Sequence, residues 1–316
     1  MGTLMGHVAP GFGFLVIGLW HLINHIKLHV QNPKTYRSLP WFPSTKIRYL
    51  ELFLIMIGCT MSVAMELFIG PERHQPFDTD GTIPSNHLHN FEHSFISMMF
   101  FVYAAFAIIL DKFVPKVQYE LTQLLGGIAF AQQLLLFHLH SADHMGVEGQ
   151  YHMLLQILIL IALITTLMGI SYQKSFVVSF IRSISIFYIG LWLMVMGFML
   201  WTKSLIPKGC FLNLEEGHHV VRCHGDEALE RAKSLVNIQF SWYSIWVVIF
   251  AMTLYVAMHK IYERRNEYQS LTRHDQDDQE LVDQDIEAQK SSTHKFDQSK
   301  SFLQMEKSFA PIDMER

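Results

Sequence analysis

Ile157-Leu158-Ile159-Leu160-Ile161-Ala162-Leu163-Ile164 is an unbroken aliphatic run, and no Asp, Glu, Lys or Arg occurs between Gly149 and Gln173 around it. A stretch of roughly 20 apolar residues matches the thickness of a bilayer core of about 30 Å when coiled as a helix. A strand reading fails, because the run is too long and does not alternate with period two. Six further runs of the same kind flank it. The seven candidate spans lie at about 11–29, 47–69, 91–110, 119–139, 150–170, 177–201 and 236–258, separated by segments holding the Pro, Asp, Asn and Lys/Arg of loops. The expected fold is therefore all-α: a polytopic membrane protein with a bundle of seven transmembrane helices over residues 1–261.

Composition agrees. Half of the 316 residues are apolar and only 16% are charged, against about 25% in an ordinary soluble domain. The net charge is −4, so there is no basic surplus for phosphate contacts and nucleic acid is excluded as a partner. Mean hydropathy is only +0.21, because a polar tail dilutes the apolar body. From about 262 to 316 the chain is rich in Asp, Glu, Gln, Lys and Ser, too poor in aliphatics to fold, and is expected to be a disordered cytosolic tail. Tyr268-Gln269-Ser270-Leu271 has the form of a tyrosine-based sorting signal, but plain tail sequence is favoured, and the tail's cytosolic partners are not legible.

Basic residues set the expected orientation. Lys34, Arg37, Lys46 and Arg48 follow the first span, Lys112 and Lys116 the third, Lys174 the fifth, and Lys260, Arg264 and Arg265 the seventh. All fall on one side of a seven-span chain, which places the N-terminus outside the cytosol and the C-terminus in it. The start lacks the basic leader and small-residue cleavage pattern of a signal peptide, so the first run is expected to remain as a helix.

Histidine is the informative residue type. Sixteen of 18 histidines precede residue 262, where ionisable groups are costly and usually face a bundle interior or cavity. The topology collects His7, His87, His89, Glu92, His93, Glu66, His138, His140, Asp143, His144, Glu148 and His152 at the outer interface, from several helix ends. His89 and His93 are four apart, and so share a face; His144, Glu148 and His152 form a second stripe. Imidazole and carboxylate together suit zinc or copper, and also iron or nickel; without sulfur the set is no cysteine-type zinc site. The bland alternative is that each histidine merely hydrogen-bonds locally, and a third is pH sensing near 6.5. On the inner side, His21 and His25 are also four apart, with Glu51 one turn inside the second span. A structural His–Glu pair between the first two helices is expected there, with the inner end of a proton path as the alternative.

Cys210 and Cys223 share the outer loop 202–235 with His218, His219 and His224. A disulfide, permitted on that side, and a Cys/His metal site are both open readings; Cys59 is expected to be packing. No GxxxxGK[ST], GxGxxG, HExxH or GxSxG motif is present.

The opening Gly6-His7-Val8-Ala9-Pro10-Gly11 with Gly18-Leu19-Trp20, the pair Glu51 and Glu66, Glu92-His93, and Leu136-Phe137-His138-Leu139-His140 followed by His144 and His152 together resemble the transmembrane protein 45 family, the domain of unknown function 716, called plant viral-response family proteins in plants. The resemblance covers about residues 1–258. It implies a multi-pass protein of the secretory pathway (Golgi, endosome or plasma membrane) and no particular reaction. Two departures stand out: only Trp192 and Trp201 remain of a Trp-rich sixth helix, and Gln150-Tyr151-His152 replaces a second His-x-His, removing one ligand of a simple four-histidine site.

The expected site is thus a lumen-facing metal centre of His93, His138, His140, His144 and His152 with Glu66 or Glu92, in a protein that leans away from catalysis. Rival readings are a metal-dependent intramembrane lipid hydrolase with Glu92 or Asp143 as base, a bis-histidine haem protein using His93 and His138, and a non-catalytic membrane adaptor. The expected partners are the lipid bilayer and a metal ion.

Overall fold

A computed structural model describes residues 4–70, 74–143, 146–215 and 218–264, the side chains of residues 140–143 and 218 excepted. Met1–His259 forms one compact unit, and the chain divides after it. Seven long helices are seen among the described residues: α1 (Leu4–Gln31), α2 (Leu50–Ala64), α3 (Leu88–Phe113), α4 (Gln118–Asp143), α5 (Val147–Ser171), α6 (Phe176–Trp201) and α7 (Asp226–Arg264). Two strands, β1 (Cys210–Glu215) and β2 (His218–Cys223), form an antiparallel hairpin between α6 and α7. The expected tail lies outside the described residues from 265 onward.

Six of these helices are long and apolar enough to cross a membrane, with α2 counted together with its last turn, Met65–Ile69. The exception is α4, and its side chains give the reason. Thr122, Gln123 and Gln133 are buried, so part of the polarity that lowers its hydropathy points into the bundle. Several helices also outrun their apolar stretches: α1 begins seven residues before the expected run, and α7 begins at Asp226, ten residues early. Hydropathy marks where a helix is apolar, not where its hydrogen-bond ladder stops.

Helices α2, α3, α4, α5, α6 and α1 touch in that order, and α1 meets α2 to close a ring. Its tightest seam is α1 against α6. A Cβ on Gly18 would stand 2.2 Å from the Phe187 backbone nitrogen, and one on Gly190 would stand 2.2 Å from that of Leu15. Small residues let two backbones approach this closely, as they do in apolar surroundings generally. Trp192 of α6 is fully buried, and its Nε1 donates to Tyr151 O of α5 at 3.1 Å. Helix α7 packs across α5 and α6: Tyr188 Oη donates to Phe240 O at 2.7 Å, and the Phe187 and Phe250 rings stack.

The connections after α1, α3 and α5 meet at one end. Arg48 makes a forked contact with Asp111 at 3.0–3.1 Å, Ser38 N donates to Gln173 O at 2.8 Å, and Gln173 Nε2 reaches Glu120. The segment after α1 does not lie on the surface. Tyr36, Ser38, Pro40, Trp41 and Phe42 are all buried, and form a plug in the end of the ring.

At the opposite end Cys210 faces Cys223 across the hairpin, and the two form a disulfide. Both thiols are consumed, so the Cys/His metal reading of this loop falls. The hairpin was not legible from composition: within the expected loop 202–235, Leu212 and Val221 turn inward against the core that Trp201 borders. Cys59 is a free thiol on α2, half-buried.

Candidate functional site

The end bearing the hairpin carries one polar layer. Glu66 sits where α2 widens into a π-helical turn, Met65–Ile69, a local irregularity often found at functional sites. Asn90 of α3 holds this turn by donating Nδ2–H to Glu66 O at 2.8 Å. Glu66 is buried; Oε1 stands 3.7 Å from His93 Nδ1 of α3, and Oε2 has no hydrogen-bond partner among the described residues. The His93 ring lies 6.3 Å from that of Phe137 on α4, and Phe137 lies 5.9 Å from His152 on α5. His152 is buried, with Nδ1 2.9 Å from Glu148 O one turn earlier. His7 of α1 completes the row, stacked on Trp201 at 4.6 Å and edge-on to His152 at 5.9 Å.

The row Glu66, His93, Phe137, His152, His7 therefore crosses the end of the ring from α2 to α1. Its chemistry is set by the Nδ1 contacts. A carbonyl oxygen only accepts, so His152 donates from Nδ1. Glu66 Oε1 stands beside His93 Nδ1 at ion-pair distance rather than hydrogen-bond distance. Metal-binding histidines are oriented in this way, with the second nitrogen donating to a carbonyl or carboxylate.

The remaining expected residues divide. Glu92 is half-buried in the first turns of α3. His138 follows Phe137 directly and so points about 100° around the helix from it; it is exposed, with Nδ1 3.2 Å from Gln156 Oε1, in a cleft between α4, α5 and α7. His138 is thereby turned aside from the row. The side chain of His140 and all of His144 lie outside the described residues. Among the described residues, no group of three His, Cys, Asp or Glu side chains is arranged to hold an ion. His7 is the buried neighbour that sequence reasoning placed at this level without including in the site.

Residues 119–256 match the model of a family of unknown function (DUF716). The DUF716 match runs from the start of α4 into α7. It takes in Phe137 and His152 of the row and His138 beside it, and leaves out α1 to α3 with His7, Glu66 and His93.

A second polar layer lies at the plugged end. Both oxygens of Glu51 accept: Oε1 from His21 Nε2 at 2.7 Å, Oε2 from Trp20 Nε1 at 3.0 Å and from the Phe42 backbone N–H at 2.8 Å. This is the expected His–Glu pair between the first two helices. Beside it, Arg182 of α6 is buried at 3% exposure. Its Nη1 donates to Gln123 Oε1 at 2.8 Å, and its Nη2 to Leu39 O and His25 Nε2, both at 3.1 Å. Arginine only donates, so His25 accepts at Nε2 and donates from Nδ1 to Tyr36 Oη at 2.9 Å. Burial pushes the Tyr36 hydroxyl up to about 12. The His21 and His25 rings are 6.0 Å apart, so two imidazoles separate the buried guanidinium from the buried carboxylate.

The plug is thus tied to the helices at five points, by the side chains of Tyr36 to α1 and Ser38 to Tyr119 of α4, and by the backbone of Leu39 to α6, of Pro40 to Tyr103 of α3 and of Phe42 to α2. Arg182 was not among the residues singled out from the sequence. The signal that would have found its role was its position inside an apolar run, where a cation needs a bundle-facing partner.

Proposed function

We propose that this chain crosses the bilayer seven times, with its N-terminus outside the cytosol and its tail in the cytosol of the Golgi, endosomal or plasma membrane system, and that its outer polar layer binds a transition metal, zinc or copper. Orientation is supported by the basic residues at the plugged end and the disulfide at the other, since such bonds persist outside the cytosol.

The metal reading is carried by one observation: His93 and His152, on α3 and α5, each face an oxygen through Nδ1, the arrangement in which a histidine binds a metal through its other ring nitrogen. Glu66 is the carboxylate partner. Since these do not by themselves complete an ion site, His140 and His144 are the ligands proposed to complete it. The plugged end then serves as the structural anchor, and a non-catalytic role is favoured.

Metal analysis of the detergent-purified protein tests this. About one equivalent of zinc or copper is expected in the wild type, falling at least tenfold in His152→Ala. No metal, either as purified or after reconstitution with both ions, would overturn it.

A further inference from the structure

The cleft that draws His138 away from the polar row has a chemistry of its own. It measures about 390 Å³ and is bounded by His138 of α4, by Gln150, Met153 and Gln156 of α5, and by Lys233 of α7, a size in the usual range for small-ligand sites. Two polar bridges frame it. His138 and Gln156 join α4 to α5, and Gln150 Nε2 donates to Asn237 Oδ1 at 2.6 Å, joining α5 to α7. Lys233 Nζ is 3.0 Å from Glu230 Oε1 one turn back.

Below the cleft the surface changes character. Met153, Ile157, Leu160, Ile161 and Ile164 are all exposed, each more than one-third. Their spacing puts them on one face of α5, in a continuous apolar lane that starts in the cleft and runs toward the bundle's midpoint. A polar cleft of this size opening directly onto an acyl-chain track fits an amphiphile lying along the helix.

We propose that this cleft binds the headgroup of a zwitterionic phospholipid from the non-cytosolic leaflet, with an acyl chain along the α5 lane. Charge selects the class. An anionic lipid would meet Lys233 but also Glu230, which is paired with it. A phosphodiester joined to an ammonium group satisfies both members of the Lys233–Glu230 pair: the phosphate takes Lys233 and the ammonium takes Glu230. Exposed pairs of this kind hold together weakly, so exchanging their partner for a headgroup costs little. Anionic lipid is, moreover, concentrated on the cytoplasmic leaflet, away from this end. The site rests on the bilayer-spanning reading above and is independent of any bound metal.

The test is native mass spectrometry of the full-length protein, released from nanodiscs made with equal phosphatidylcholine, phosphatidylethanolamine and phosphatidylglycerol. One retained zwitterionic lipid per chain is expected. Retention should fall at least fivefold in Lys233→Ala and in Glu230→Ala, while a control at exposed Trp242, Trp242→Leu, retains it. Equal retention across the variants, or preference for phosphatidylglycerol, would overturn the site. Free phosphocholine displacing the lipid at equal concentration would show that a soluble phosphodiester, not a lipid, is the ligand, and would also overturn it. Extraction of the protein from membranes by alkaline carbonate would remove the membrane reading itself, and the site with it.

Discussion

His21 of α1 and Glu51 of α2 meet at 2.7 Å with both side chains almost wholly buried. Glu51 also receives Trp20 and the Phe42 backbone, so a single carboxyl group joins two helices and the plug. Truncation should cost far more than an exposed pair would. Glu51→Leu strands three donors, each worth on the order of 1 kcal/mol or more when left unsatisfied, and a loss of about 3 kcal/mol is expected. Thermal unfolding in detergent checks this. Glu51→Gln, which keeps an acceptor, should lose less; equal losses would mean that packing volume, not hydrogen bonding, is what Glu51 supplies.

Arg182 is expected to resist conservative replacement. Its forked head spans Gln123, His25 and Leu39 O, and a lysine ammonium cannot reach in the same planar pattern. Arg182→Lys should destabilise the fold by about 2 kcal/mol and make the 36–42 plug accessible to protease from its own side of the membrane. A melting temperature and a cleavage pattern equal to the wild type would show that the network is incidental.

The glycines of α1 provide a contrast within one helix. Replacing Gly with Ala in a helix gains up to about 1 kcal/mol in propensity. At Gly13 nothing lies within 4 Å of the new Cβ, so Gly13→Ala should be neutral or stabilising. At Gly18 the Cβ would meet the Phe187 backbone at 2.2 Å, and overpacking of this kind costs about 1–3 kcal/mol. Gly18→Ala should therefore lower the melting temperature, whereas Gly13→Ala should not.

These contrasts show what the amino-acid sequence made legible. The apolar runs gave the positions of the helices, because burying a backbone in an apolar medium leaves little but helix. The pair His21–Glu51 could be read from i,i+4 spacing and depth, and Cys210 with Cys223 from their common loop. The plug could not. Tyr36-Arg37-Ser38-Leu39-Pro40 reads as a surface linker, and only the buried acceptors and donors that meet it turn it inward. The outer layer was legible as a level but not as a geometry: a one-residue step from Phe137 to His138 moves a side chain from the row to the cleft, and composition does not resolve that rotation.

The hairpin gives a prediction for acid. Hydrogen bonds from Arg222 and Asn213 hold the Glu215 carboxyl down to about 2, below its ordinary value of about 4.3. A depressed carboxylate contributes stability that is complete above its unfolded value and is lost as the pH falls through its folded one. The hairpin should therefore be unchanged from neutral pH to about 5, and loosen only between about 4 and 2. Carboxyl NMR titration of the protein labelled at Glu checks this; a Glu215 midpoint near 4 would show that the pair with Arg222 does not form in solution. Arg222→Ala should bring the midpoint back to that range.

The most direct test of the outer layer is X-ray absorption at the zinc edge of protein reconstituted with one equivalent of zinc. A nitrogen/oxygen shell at about 2.0–2.1 Å, with the outer-shell scattering of at least two imidazoles, is expected for the wild type, and the imidazole contribution should fall in His93→Ala and His152→Ala. A spectrum of hydrated zinc alone, or one identical in all three proteins, would contradict a metal centre built on these two histidines.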